Sequence, residues 1–323
     1  MVTSLITGIG GQDGSYLAEI LLKAGYRVVG MVRGSTSAPQ PRIEHLRNSI
    51  ELTEGDLLDQ HSLQRVLEKY GPREIYNFAA QHPASSQSFS DPVTTGELNA
   101  LGVLRLLEAI RAVDPTMRFC QASTAQIFGK ARESPQHENT PFRPTNPYGV
   151  AKLYAHWITV NYRESHGMFA CSSILFNHES PRRAERFVTR KITLAVARIK
   201  AGLQDRLYLE DLDARRDWGY AADYVHAMWL MLQAPMADDY VLATGESHSV
   251  REFCQIAFEH AGLDYEQYVT PSPRNALTTH TSELVGDAGK ARKVLHWRPT
   301  LTFRALVQMM VDADIALVSS ARA

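Results

Sequence analysis

The sequence predicts an α/β fold, with a Rossmann-type doubly wound parallel sheet and a smaller mixed α/β C-terminal domain. Three observations support this prediction. Strand-like apolar runs alternate with helical stretches through the first half of the chain, a glycine-rich turn follows the first run, and the pattern becomes irregular after Phe176. Strands that alternate with helices form βαβ units, and the strands of such units lie parallel.

The individual elements follow from their periodicity. Runs typical of strands lie at residues 4–7, 26–32, 74–80, 117–122 and, later, 206–209. Apolar residues recur with helical spacing at residues 16–25, 62–69, 101–113, 188–201, 251–261 and from residue 303 onward. We expect residues 1–176 and 212–246 to form the first domain, and residues 177–211 and 247–316 to form the second.

Composition excludes several classes of function. The chain has 323 residues, and 34 Lys and Arg against 35 Asp and Glu give a net charge of −1. This balance excludes capture of nucleic acid or an anionic membrane by bulk charge. Three widely spaced cysteines show no metal-binding or disulfide pattern, so no metal is expected. Because no apolar run is long enough to span a membrane and no signal peptide is recognised, a cytoplasmic protein is expected.

The turn after the first strand has the spacing of a dinucleotide site. Gly8, Gly11 and Gly14 form a GxxGxxG pattern directly before a helix. Glycines there let the backbone approach a pyrophosphate at the helix N-terminus. Arg33 ends the second strand, where a basic residue favours NADP over NAD, although a solvated surface arginine is the alternative. Asp56 and Leu57 suit an adenine-contacting turn, and a helix cap is an equal alternative for Asp56.

Tyr148 and Lys152 form a YxxxK pair. Positions i and i+4 share one face of a helix, so the lysine ammonium is expected to lower the pKa of the tyrosine and make it a base. Upstream, Ser123 and Thr124 end a predicted strand and offer hydroxyls to the same reacting oxygen. This combination predicts hydride-transfer chemistry on an alcohol or ketone.

These spacings resemble the extended short-chain dehydrogenases/reductases. Longer blocks, running from about residue 4 to 262, resemble the GDP-mannose 4,6-dehydratase family. The blocks are residues 7–18 (TGIGGQDGSYLA), 146–154 (NPYGVAKLY), 157–164 (WITVNYRE), 176–183 (FNHESPRR), 187–192 (FVTRKI) and 216–219 (RDWG). The resemblance implies a cytoplasmic NADP-dependent enzyme that acts on a GDP-sugar.

The resemblance also implies roles for individual residues. Those expected to hold NADP are Gly8, Gly11, Gln12, Asp13, Gly14, Arg33, Asp56, Leu57, Ala79, Ala80, Gln81, Tyr148, Lys152, His178 and Arg183. Those expected to hold the GDP moiety are Asn177, Val188, Lys191 and Arg216. In this family the segment after Arg33 reaches a neighbouring subunit, so a homodimer or homotetramer with contacts from Ser35, Arg42 and His45 is expected.

The chain departs from the family at the catalytic centre. The dehydratases carry Thr-Ser-Glu where this chain has Thr124, Ala125 and Gln126. An amide cannot act as the base that removes the C5 proton, and losing such a group typically costs about 10²–10⁴-fold. This departure favours hydride transfer at C4, by 4-keto reduction or C4 epimerisation, over 4,6-dehydration. The dehydratase reaction is the first alternative and a non-catalytic NADP-binding protein the second.

Two histidines are candidate replacements for the missing acid. His82 follows a strand beside the expected sugar and is the better candidate, whereas His280 lies in a late segment that differs from the family. A loop histidine is more often structural. Gly34 replaces a second arginine of the family at the 2′-phosphate, so NAD is also compatible.

Overall fold

A computed structural model describes residues 1–81, 89–272 and 283–321. Its strands are β1 Thr3–Thr7, β2 Arg27–Val32, β3 Glu51–Glu54, β4 Glu74–Asn77, β5 Arg118–Ala122, β6 Ala170–Leu175, β7 Asn177–Glu179, β8 Leu207–Leu209, β9 Arg215–Arg216, β10 Trp218–Tyr220, β11 Tyr240–Leu242, β12 His248–Ser249 and β13 Val269–Pro271.

The α-helices are α1 Gln12–Lys23, α2 Gln60–Tyr70, α3 Pro92–Gly96, α4 Gly102–Val113, α5 Pro147–His166, α6 Val188–Lys200, α7 Ala221–Gln233, α8 Val250–His260, α9 Tyr265–Tyr268, α10 Gly289–Val294 and α11 Phe303–Ser320. Two 3₁₀ turns, Pro41–Leu46 and Ala125–Ile127, and a π turn, Glu97–Leu101, complete the helical elements in the described part of the chain.

Seven strands form one sheet in the order β11-β6-β5-β4-β1-β2-β3, and every neighbouring pair is parallel. This order contains the Rossmann order, which reverses direction between β1 and β4. The predicted fold class is therefore confirmed. Ligands of such sheets bind beyond the carboxyl ends of the strands at this reversal.

Two predicted boundaries beside the reversal were wrong. Helix α1 begins at Gln12, four residues before the predicted start, so that Gly11 is its N-cap. Strand β4 ends at Asn77 and not at Ala80. It ends there because the chain turns toward the first glycine turn, where the Ala79 N–H donates to Thr7 Oγ1 at 3.1 Å.

Apolar side chains cover both faces of the sheet. One cluster packs α1 and α7 on the sheet and includes Leu17, Leu21 and Met228, and the other packs α2 and α4 on the opposite face. Met228, Met231 and Leu232 of α7 are fully buried in the first cluster. The three cysteines are buried and unpaired.

A third apolar cluster lies outside the sheet. It packs α6, α8 and α11 around Trp218 and Phe253. Three two-stranded pairings, β10 with β7, β12 with β9 and β13 with β8, accompany it. This arrangement agrees with a second domain, and the exact domain boundaries stay a prediction. No helix in the described part of the chain is long and apolar enough to cross a membrane.

Candidate active site

Two adjoining clefts open at the carboxyl edge of the sheet, and Gly11, Phe78 and Ala80 line both. The reaction cleft has a volume of about 420 Å³ and lies over β5 and the start of α5. The adenosine cleft has a volume of about 580 Å³ and lies over β2 and β4. Both volumes are in the usual range for a small-molecule site.

The glycine turn has a separate physical requirement at each position. Gly8 has a φ of +68°, and a Cβ there would lie 2.8 Å from Ala79 N. A Cβ on Gly14 would lie 2.6 Å from Ile9 Cα. Gly11 faces both clefts and caps α1 without a side chain. The first and third glycines therefore allow close packing, and the second exposes the N-terminus of α1 to a ligand.

The adenosine cleft contains the predicted selectivity residue and the predicted adenine-contacting turn. Arg33, Asp56 and Leu57 line it. Arg33 is exposed and forms no ion pair with another described residue. Asp56 caps locally, since its Oδ1 accepts the Leu58 N–H at 2.9 Å. The helix-cap alternative for Asp56 was wrong, because Asp59 is the N-cap of α2, and Asp56 orders only the turn before it.

Gln81 lines the adenosine cleft and is held by the π turn. Asn99 accepts the Gln81 N–H at 3.0 Å and donates to the Gln81 carbonyl at 2.9 Å. The side-chain Oε1 of Gln81 is buried and has no partner among the described residues. A buried acceptor without a partner costs free energy, so this atom fits a donor supplied by a ligand.

Asp13 and His178 form a half-buried pair beside the glycine turn. Asp13 Oδ2 lies 3.0 Å from His178 Nε2, and His178 Nδ1 donates to the Phe176 carbonyl at 2.7 Å. Burial is the largest single influence and would raise the pKa of Asp13. The charge of His178, the hydrogen bonds from His178 and Gln12 and the charge of Arg183 together outweigh burial and lower that pKa to about 2. Burial lowers the pKa of His178, and Asp13 raises it above its usual value. Both shifts favour the charged pair of aspartate and imidazolium.

Tyr148 and Lys152 both line the reaction cleft, on the first two turns of α5. Lys152 Nζ lies 5.9 Å from the centre of the Tyr148 ring and donates to the Ala122 carbonyl at 2.9 Å. Burial raises the pKa of Tyr148, opposed by the charge of Arg183, and burial lowers the pKa of Lys152 to about 8. The expectation that Lys152 lowers the tyrosine pKa is not met, because burial dominates.

The end of β5 brings three polar residues to the same cleft, Ser123, Thr124 and Gln126. Thr124 caps the following turn, and its Oγ1 accepts the Gln126 N–H at 3.3 Å. Ser123 Oγ is buried and has no partner among the described residues. Gln126 Oε1 accepts a hydrogen bond from Asn146 Nδ2 at 3.1 Å. These contacts place a hydroxyl pair and an amide next to Tyr148.

Arginines form one wall of the reaction cleft. They are Arg42, Arg182, Arg183, Arg186 and Arg216. Arg216 is largely buried, which lowers its pKa, and it donates to the Arg215 carbonyl at 2.6 Å. A buried guanidinium that lines a cleft is suited to a diphosphate. The sequence reasoning did not select Arg182 or Arg186, although both belong to the basic run of residues 182–190 that could have indicated them.

Several predicted residues lie elsewhere. Asn177 lines the reaction cleft, but Val188 and Lys191 line neither cleft, and Lys191 Nζ donates to the Tyr208 carbonyl at 2.6 Å. Arg42 lines the cleft of its own chain, where its Nε donates to the Arg182 carbonyl at 2.7 Å. Its expected role toward a neighbouring subunit stays a prediction. His82 and His280 lie outside the described residues.

A Rossmann-type sheet, a glycine turn and a buried Tyr–Lys pair over one cleft define an extended short-chain dehydrogenase/reductase. The GDP-mannose 4,6 dehydratase family profile matches residues 5–310. GDP-mannose 4,6 dehydratase 1 of Arabidopsis thaliana is 48% identical, covering 97% of this chain and 90% of that protein. The Homo sapiens GDP-mannose 4,6 dehydratase is 45% identical, covering 98% and 92%. The chain belongs to the GDP-mannose 4,6-dehydratase family.

Solved structures of proteins named for other activities share the fold. UDP-glucose 4-epimerase of Thermus thermophilus, in complex with NAD, is 28% identical with a TM-score of 0.84, covering 97% of this chain and 99% of that one. The epimerase Mth375 of Methanothermobacter thermautotrophicus is 26% identical with a TM-score of 0.87, covering 99% and 94%. The much higher identity to dehydratases does not support the preference for reduction or epimerisation stated from Gln126.

Proposed function

We propose that this protein binds NADP across the two clefts. The glycine turn offers the N-terminus of α1 to the pyrophosphate, and Arg33 offers an exposed guanidinium to a 2′-phosphate. Gln81 Oε1 and Ser123 Oγ are buried polar atoms with no partner among the described residues, and a ligand would satisfy them. These residues fit the dinucleotide, whose nicotinamide, when bound, accepts a hydride and returns it.

The proposed substrate is GDP-mannose, and the proposed reaction is its 4,6-dehydration. The observation that carries this proposal is 48% identity to a GDP-mannose 4,6 dehydratase over 97% of the chain. The arginine wall supports it, because Arg186 and Arg216 present guanidinium groups that suit a sugar-nucleotide diphosphate. Asn177 lies in the same cleft and offers an amide to the substrate.

Different residues of the reaction cleft have different roles in proton transfer at the C4 oxygen. Tyr148 is placed to move a proton at the C4 oxygen, and Thr124 offers a hydroxyl to the same atom. Burial keeps the phenol protonated, which is the form that a keto oxygen needs during reduction. The positive charge of Arg183 favours the phenolate that oxidation needs. Lys152 donates to Ala122 and thereby holds the end of β5 against α5.

One observation favours a second candidate, which is hydride transfer at C4 without loss of water. Elimination needs a base at C5. Among the described residues that line the reaction cleft, Asp13 is the only carboxylate and His178 the only imidazole, and they bind each other. Gln126 stands where the family has glutamate and does not ionise. The alternative reactions are reduction of a 4-keto GDP-sugar and inversion at C4.

The experiment that separates these candidates is mass analysis of the product. The purified protein is incubated with GDP-mannose and NADP, and the nucleotide products are resolved by liquid chromatography and mass spectrometry. Loss of one water establishes the dehydratase. Unchanged mass with a new retention time establishes an epimerase and contradicts the first proposal. If neither product forms, NADPH oxidation by a 4-keto-6-deoxy GDP-sugar establishes a reductase.

A matched variant extends this test. Gln126→Glu has nearly the same shape and supplies a carboxylate. If a base at this position limits dehydration, the variant is expected to dehydrate GDP-mannose about 10²-fold faster or more. An unchanged dehydration rate shows that another group removes the proton. Tyr148→Phe is the negative control, since a non-catalytic NADP-binding protein would not be affected by it.

A further inference from the structure

The orientation of the Gln126 amide is set by its neighbour Asn146. Asn146 is the N-cap of α5, and its Oδ1 accepts the Gly149 N–H at 2.8 Å. Its Nδ2 is therefore the donor in the 3.1 Å contact with Gln126 Oε1. Because the Gln126 oxygen is occupied in this way, its Nε2 is the end left for a ligand in the cleft that Gln126 lines.

We propose that Gln126 donates a hydrogen bond from Nε2 to the carbonyl oxygen of an oxidised sugar, the C4 ketone of a 4-keto GDP-hexose. The inference rests on the proposed function, because both candidate reactions pass through that ketone. Nε2 is only a donor and a ketone oxygen is only an acceptor, so the two match. A sugar hydroxyl can accept a hydrogen bond from the amide nitrogen or donate one to the amide oxygen, so it binds to either end of the amide.

Residue 126 is then a specificity residue for the oxidation state of the sugar. A glutamate at this position would accept the Asn146 Nδ2–H with one oxygen and present its other oxygen to the ligand. That oxygen accepts a hydrogen bond from a sugar hydroxyl but repels the oxygen of a ketone, which also only accepts. The glutamine gives up a base and provides a donor that polarises the carbonyl next to C5.

Asn146→Asp inverts the Gln126 amide without changing Gln126. Aspartate is as good an N-cap as asparagine, so one oxygen still accepts the Gly149 N–H and helix α5 keeps its start. The second carboxylate oxygen cannot donate, and it accepts from Gln126 Nε2 instead. The amide rotates, and Oε1 faces the cleft.

The test measures dissociation constants by calorimetry on the full chain with NADP bound. All variants carry Tyr148→Phe, so that neither sugar reacts. The ligands are GDP, GDP-mannose and GDP-4-keto-6-deoxymannose. Asn146→Asp is expected to weaken binding of the 4-keto sugar about tenfold relative to binding of GDP-mannose. This is the usual effect of one lost hydrogen bond in a buried site. Gln126→Glu is expected to shift the preference in the same direction.

Asn161→Asp is the matched control, since it makes the same chemical change on the exposed part of α5, where the amide contacts only Ser165. It is expected to leave all three constants unchanged. If GDP binds equally to every variant and the preference for the 4-keto sugar is unchanged by Asn146→Asp and by Gln126→Glu, this inference is overturned and the proposed function stands. If GDP does not bind the parent protein, the proposed function fails and this inference with it.

Discussion

The half-buried pair of Asp13 and His178 predicts a stability that depends on pH. Their side chains approach to 3.0 Å, and the pKa of Asp13 is about 2, against 3.8 for the same group in water. At about 1.36 kcal/mol for each pH unit, this difference corresponds to about 2 kcal/mol of folding free energy. Because the folded-state pKa is the lower one, the contribution is present above about pH 4 and is lost as the pH falls through about 2.

Asp13→Asn tests this reasoning, because asparagine keeps the shape and an accepting oxygen but removes the charge. The free energy of unfolding is expected to fall by about 2 kcal/mol at pH 6 and by about half as much at pH 3. The raised pKa of His178 comes from the same interaction with Asp13, so it adds no separate contribution to the folding free energy. Its contribution is present below the usual pKa of histidine and is lost as the pH rises through the raised value.

The measurement is urea unfolding of the cofactor-free protein at both pH values, followed by far-ultraviolet circular dichroism. Asp56→Asn is the control, because that carboxylate lies in the adjoining cleft and accepts only from the Leu58 backbone. It is expected to change stability much less at pH 6. The ion-pair assignment would be refuted if Asp13→Asn lowered the free energy of unfolding equally at pH 6 and pH 3, or did not lower it at pH 6.

Three further predictions concern the clefts. Tyr148→Phe is expected to slow turnover of the GDP-sugar by about 10²–10⁴-fold while GDP still binds, and product assays with a GDP titration check both. Gly14→Ala is expected to lower the melting temperature and weaken NADP binding, because its Cβ would lie 2.6 Å from Ile9 Cα, whereas Gly96→Ala, with open space around it, is expected to do neither. Arg33→Ala is expected to weaken NADP binding about tenfold or more and to leave NAD binding unchanged. Fluorescence titration with both dinucleotides measures the two affinities.

Local patterns predicted the parts of the fold that depend on neighbouring residues. The glycine turn was identified because its three glycines meet backbone constraints within one strand–turn–helix unit. The Tyr148–Lys152 pair was identified because helical spacing alone places both side chains on one face. The end of β4 was misplaced, because the hydrogen bond between Ala79 and Thr7 that accompanies it joins positions 72 residues apart.

The electrostatics of the site could not be predicted in the same way. The sequence motif suggested that Lys152 controls the pKa of Tyr148, whereas in the fold burial dominates and Arg183 is the opposing charge. The pairing of Asp13 with His178 links positions 165 residues apart. The basic wall of the reaction cleft combines Arg42 with arginines from the segment after β7. Burial and charge neighbours of this kind depend on how distant segments pack.

By itself the sequence determined the fold class, the family, the dinucleotide turn and the identity of the residue at position 126. Those features depend on the periodicity of apolar residues, on the spacing of a few residue types and on the identity of single side chains. Only the tertiary structure decided which way the Gln126 amide points, since that depends on the N-cap of a helix that begins 21 residues later. A hydrogen bond has a direction, and its direction is set by the three-dimensional contacts of both partners.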